Sequence, residues 1–265
     1  MNQTPLTFAH LDDLLKASER GLDCSTYFAA ASIERIGPLI ELLIHDRSKP
    51  AGFKALPNSP EVRAVTTEFS ARGSTQGTHI TMGPVTIGFA RTDREPTEVS
   101  TDWTAFCLEI RRAAVDAGIH VTTARGLVGA LREIESNIHE HSGRPRDGLV
   151  GYRCAAGEFE FVVADSGMGM LASLRRNPKH SALTDAGLAL ELALTDGISR
   201  FPDEEGRGYG FRDLFRGLAN LNGELRFRSG DHALLIDGTG PSLLERQLVQ
   251  KTELRGFVAS IVCRP

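Results

Sequence analysis

Three groups of residues have the types and spacing to do chemistry. Glu133, Asn137 and His141 recur every fourth residue through REIESNIHEHSG. At about 100° per residue they fall within roughly 80° of one another on a helix. This polar stripe lies beside an apolar stripe of Leu127, Leu131, Ile134 and Ile138, the pattern of a helix that lines a pocket and also packs on a sheet; an ordinary solvated face gives the same spacing. Asp165 closes the apolar run FEFVVAD and opens Asp165-Ser166-Gly167-Met168-Gly169. A carboxylate at the end of a buried strand is costly unless something satisfies it, and a ligand amine is one such partner. Gly167 and Gly169 permit a sharp turn and close approach of the backbone to a ligand; Asp-Gly turns at strand ends are also common without one. Gly206-Arg207-Gly208-Tyr209-Gly210 stands just ahead of FRDLFRGLANL. Alternating glycines before a helix expose amide N–H groups and the positive end of the helix dipole, a seat for phosphate, although a flexible loop would read alike.

Each group sits on the element its chemistry requires. DWTAFCLEIRRAAVDAG reads as an amphipathic helix ended by Gly118. Thr122 or Thr123 can cap a second helix running to a stop at Ser142-Gly143. GEFEFVVAD is a central strand, with Phe159, Phe161 and Val163 pointing one way. Residues 170–206 read as weak helix and polar loop, and FRDLFRGLANL as a third helix closed by Asn222-Gly223. ELRFRSGDHALLI reads as a hairpin and GFVASIVC as a last strand. Upstream, residues 8–47 have helical spacing, and residues 48–100 are broken by proline and glycine but contain THITMGPVTIGFAR, which alternates like a strand or hairpin. The polar segment TDREPTEVSTD at 92–102 marks a boundary between an N-terminal region, 1–100, and a C-terminal domain, 101–265. Helices followed by strands and antiparallel hairpins predict an α+β class with a two-layer α/β sandwich and a smaller mixed α/β N-terminal region.

Composition narrows the partners. With 30 basic and 34 acidic side chains the net charge is −4, which argues against bulk electrostatic binding to nucleic acid or anionic lipid. Cys24, Cys107, Cys154 and Cys263 lie far apart with no metal-ligand spacing and read as reduced core residues. The opening residues lack a signal-peptide pattern and the longest apolar stretch, near Ile36 to Ile44, is interrupted by Pro38 and Glu41. A soluble cytoplasmic protein is expected.

Taken in order, the three groups resemble the GHKL ATPase superfamily. REIESNIHEHSG is similar to its N box, VVADSGMGM to its first glycine box, GRGYGF to its second, and GLANLNGELRFRSGD to the helix-to-strand segment that follows. The resemblance covers roughly 102–265 and is nearest the histidine-kinase-like branch. It implies a Bergerat fold that binds ATP and Mg²⁺. Asn137 would hold the metal, Asp165 would accept from the adenine amine, and Gly167 and Gly169 would let the chain pass against the base. Gly206, Gly208 and Gly210 would wrap the phosphates, with Arg207 facing phosphate or solvent and His141 near them. Residues 170–206 would form the ATP lid, and Glu133 would be the general base. Two positions depart from the family: Gly256 is followed by Phe257 where a Gly-Thr or Gly-Ser step is frequent, and Arg207 stands where small residues are frequent.

The resemblance admits two activities: an ATPase or histidine/serine-kinase-like phosphotransferase, or an ATP-gated conformational switch with little turnover. Both imply a protein partner and admit a homodimer, and neither calls for a membrane. A module that has lost nucleotide binding is argued against by the intact glycine boxes. His45-Asp46-Arg47-Ser48-Lys49-Pro50 resembles a phosphoacceptor H box, but a helix end halted by Pro50 accounts for it better, because the proline-rich segment beyond cannot supply a second long helix.

Overall fold

The computed structural model describes residues 4–48, 56–70, 77–92, 100–193, 222–237 and 246–265. Its centre is one six-stranded antiparallel sheet, order β1-β2-β3-β4-β6-β5. The strands are β1 (Thr78–Met82), β2 (Val85–Arg91), β3 (Leu149–Ala155), β4 (Glu158–Asp165), β5 (Glu224–Asp237) and β6 (Arg246–Cys263). The expected hairpin at 78–91 is β1 and β2, and it forms one end of this sheet by pairing Phe89 with Gly151 of β3. The sheet is therefore continuous across the segment at 92–102, of which residues 93–99 lie outside the described residues.

Helices cover both faces. On one side lie α5 (Thr101–Asp116) and α6 (Val121–His141). Their apolar stripes, Trp103, Phe106 and Ile110 from the first and Leu127, Leu131, Ile134 and Ile138 from the second, close over Tyr152, Phe159, Phe161, Val163 and Phe227. Each large side chain wholly removed from water here contributes roughly 1.5–3 kcal/mol. The strand alternation sends Val162 and Ala164 to the other side, where α3 (Ile36–Ser48) and α4 (Pro60–Ser70) cover them with Leu39, Ile40, Ile44 and Val65. Beyond α3, the helices α1 (Phe8–Glu19) and α2 (Ser25–Ala30) enclose a third cluster with Leu42. The chain is α+β, as expected, but the sheet takes two strands from the N-terminal region and carries helices on both faces, so the two-layer arrangement expected for 101–265 becomes three layers across the whole chain.

Three local expectations are corrected. ELRFRSGDHALLI is not a hairpin but one strand, β5, whose partner is β6; the Ser-Gly-Asp that reads as a turn is a register slip between Ser229, Gly230 and His232. The last strand begins at Arg246, well before GFVASIVC. Helix α6 is capped by His120, whose ring accepts the Thr122 amide at 3.4 Å, so Thr122 and Thr123 are already helical. Within the segment 170–206, the described part holds α7 (Gly169–Leu174) and α8 (Ala186–Ala193). Residues 194–221, with the expected third helix, lie outside the described residues. Among the described residues no helix is long and apolar enough to cross a membrane.

Candidate functional site

The site is built around the last residue of β4. Asp165 pairs with Phe257 of β6 and is 4 % exposed. Its Oδ1 accepts the backbone N–H of Gly167 at 2.7 Å, and among the described residues no donor meets Oδ2. Burial pushes the carboxyl up to about 6; the Gly167 amide opposes the rise and the nearby Asp147 carboxylate adds to it. Asp147, from the 3-10 turn at Pro145–Asp147, lies beside this carboxyl. Its Oδ2 lies 3.5 Å from Ser166 Oγ, which donates to it, and 3.6 Å from Arg144 Nη1.

The turn after Asp165 is clamped from two directions. Met168 donates its amide to Ser142 O at 2.8 Å, joining the turn to the end of α6. A Cβ at Gly167 would overlap that same carbonyl, so the approach needs glycine. On the other flank, Met170 donates its amide to Ser229 Oγ at 2.9 Å, and Ser229 Oγ donates to Gly256 O at 2.8 Å. Gly256 has φ +103° and its missing side chain makes room for the Asp165 carbonyl. The Gly256-Phe257 step thus has its own packing reason: the glycine backs the strand end, and the phenylalanine packs tilted against Phe227 with ring centroids 5.6 Å apart.

The polar stripe of α6 runs toward this turn. Glu133 is exposed, while Asn137 and His141 are half-buried. Glu133 and His141 are separated by eight residues, about 12 Å along the helix axis. The structure therefore joins Asp165, Gly167 and Gly169 to the His141 end of the stripe and leaves Glu133 two turns away. His141 Nε2 is 4.0 Å from Glu140. Gly206, Arg207, Gly208 and Gly210 lie outside the described residues. His45 is 5 % exposed in the last turn of α3, closed to a phosphoryl donor.

Several polar residues of the site region were not singled out from sequence. Ser229 stands in the Ser-Gly-Asp that reads as a turn, and Asp147 lies between the helix stop at Ser142-Gly143 and the strand GEFEFVVAD. Glu135 and His139 form a buried pair on α6, Oε1 to Nε2 2.9 Å, with side chains 1 % and 2 % exposed. Their four-residue spacing was the available signal.

Among the described residues no cluster of three or more His, Cys, Asp or Glu could hold a metal ion. No protein-family model matches the chain, and no curated protein or solved structure matches it.

Proposed function

We propose that this chain is a Mg²⁺-dependent ATP-binding protein of the GHKL type with a Bergerat pocket, carried by residues 101–265. One observation supports the reading most: a buried strand-end carboxylate with one oxygen satisfied by Gly167 and the other without a partner among the described residues. An acceptor at the end of a buried strand gains from a ligand N–H, and the adenine amine is such a donor. Gly167 and Gly169 follow at once, as base passage requires, and the polar flank of α6 lies alongside.

In this reading Asn137 holds Mg²⁺, which neutralises phosphate charge, and His141 lies near the phosphates. Gly206, Arg207, Gly208 and Gly210 carry the phosphate-binding amides. Glu133 takes the proton of the attacking water or acceptor hydroxyl, so the reaction is transfer of the γ-phosphoryl group in signalling or regulation. A protein partner, a cytoplasmic setting and homodimerisation belong to the same proposal.

Calorimetric titration with a non-hydrolysable ATP analogue and Mg²⁺, beside the Asp165→Asn variant, tests it. Micromolar-range binding that Asp165→Asn abolishes is expected. Absence of binding by the wild type, or undiminished binding by the variant, overturns the assignment. Binding with no γ-phosphate turnover leaves ATP as the ligand of a conformational switch.

A further inference from the structure

Alternation along β5 divides its side chains between two faces. Leu225 and Phe227 join the α6-side core, and Ser229 on that side clamps the Asp165 turn. Arg226 and Arg228 point the other way, into the N-terminal helices. Arg228 is fully buried, and its guanidinium holds the register slip together. Nη1 donates to Gly230 O at 2.8 Å and to His232 O at 3.1 Å, and Nη2 donates to Thr252 O. These carbonyls flank the slip between Ser229, Gly230 and His232, where the ladder is irregular.

A guanidinium in this setting persists only opposite a carboxylate. That carboxylate is Glu41 of α3, itself fully buried, whose Oε1 accepts from Arg228 Nε at 3.2 Å. Arg226 takes both oxygens of Glu41 at 2.8 Å each and reaches Asp12 of α1 at 2.7 Å. A path of direct contacts therefore runs through the sheet. It starts at Glu41, passes by Arg228 to the slip, and continues through Ser229 to Met170 and Gly256, against which Asp165 is seated.

We infer that Glu41, Arg228 and Ser229 are positioning residues for the Asp165 turn, so that the N-terminal helical layer sets the shape of the ligand site on the opposite face of the sheet. The inference rests on the nucleotide reading for the ligand's identity and on the contacts alone for the positioning. Removing the Glu41 charge frees Arg228 from its counter-ion, the slip relaxes, and Ser229 no longer holds Met170 and Gly256 together. The same residues could act only as ballast for the whole fold, in which case loss of Glu41 would loosen every segment alike.

The test compares the full-length wild type with Glu41→Gln, Ser229→Ala and Asp12→Asn. Asp12 contacts Arg226 and Lys251 in the same buried cluster but makes no hydrogen bond to Arg228. Amide hydrogen exchange is followed by mass spectrometry in segment 165–172 and in the adjoining strand segment 158–164. Glu41→Gln, which touches neither segment's turn, is the decisive variant. Exchange in 165–172 is expected to rise roughly tenfold in Glu41→Gln and in Ser229→Ala while 158–164 keeps its rate, and Mg·ATP affinity should fall by a similar factor. Asp12→Asn should lower Tm without this selective change. Exchange that rises in both segments together in Glu41→Gln, or not at all, overturns the inference. Should wild type fail to bind Mg·ATP, the nucleotide reading falls, and the exchange pattern still decides the positioning role by itself.

Discussion

The Asp165 carboxylate accepts the amide of Gly167 two residues further along the same turn, at 2.7 Å, while burial holds its pKa at about 6. The folded protein thus binds this proton more tightly than the unfolded chain, whose carboxyl stays near the ordinary 3.8. The resulting stability is fully present below the unfolded value and is lost as pH rises through about 6. Asp165→Asn keeps an oxygen for the Gly167 amide and carries no charge. Its unfolding free energy should exceed that of wild type at pH 8 by roughly 1–3 kcal/mol, with the difference vanishing near pH 4, as read by urea denaturation. Equal profiles at both pH values would show that the carboxylate is not destabilised by burial.

The same titration governs binding. An amine-bearing ligand needs the ionised acceptor, so affinity for Mg·ATP should hold above pH 7 and weaken progressively as pH falls through about 6. Calorimetry at pH 5, 6 and 7.5 measures this, and a pH-independent affinity would remove Asp165 from the contact.

Gly256 offers a controlled comparison of strain and crowding. Gly157, in the turn between β3 and β4, has φ +73° and open space where a Cβ would stand, whereas a Cβ on Gly256 would overlap the Asp165 carbonyl. Gly157→Ala should cost about 1 kcal/mol from backbone strain alone, and Gly256→Ala at least 3 kcal/mol, with loss of Mg·ATP binding. Similar costs at the two positions would show that the strand end yields readily.

Glu160 is a buried carboxylate of a different kind. It stands on β4 and accepts the first amides of α3, Gly37 at 2.7 Å and Ile36 at 2.8 Å, one on each oxygen. Burial pushes it up to about 7 against the pull of these amides. Glu160→Ala leaves two buried donors unmet and should cost about 2–4 kcal/mol, while Glu160→Gln keeps one acceptor and should cost less than half of that. Chemical denaturation of both variants checks the order, and the reverse order would deny Glu160 its role at the start of α3.

Glu133 and Asn137 separate folding from activity. Glu133 is exposed, so Glu133→Ala should change stability by no more than about 0.5 kcal/mol yet reduce γ-phosphate turnover roughly 10²–10⁴-fold. Asn137→Ala should weaken binding in the presence of Mg²⁺ and leave the metal-free affinity little altered. Undiminished turnover in Glu133→Ala would take the base away from this residue.

Elements whose apolar period matches their burial were legible in the sequence. The stripes of α5 and α6, the double-sided strand β4 and the β1–β2 hairpin follow from where Phe106, Leu131, Phe161 and Phe89 recur. Two kinds of information were not legible. Ser229-Gly230-Asp231 has turn composition, but the strand passes through it because Arg228 supplies donors to the carbonyls on either side. Arg226 and Arg228 alternate with Leu225 and Phe227, so they point away from the α6-side core. They are covered because Asp12 and Glu41, far away in the chain, neutralise them. For the site, spacing suggested which residues belong to it but not that Asp165 meets the Ser142 end of α6 rather than the Glu133 end.

The strand order has a consequence during synthesis. Among the described residues β5 joins the sheet through β6, which leaves the ribosome after it, and β6 also covers the open edge of β4. Until Gly256 to Cys263 emerge, the nascent chain carries two strands with unpaired apolar edges and lacks the glycine that seats Asp165. Open apolar strand edges during that interval favour aggregation of the growing polypeptide.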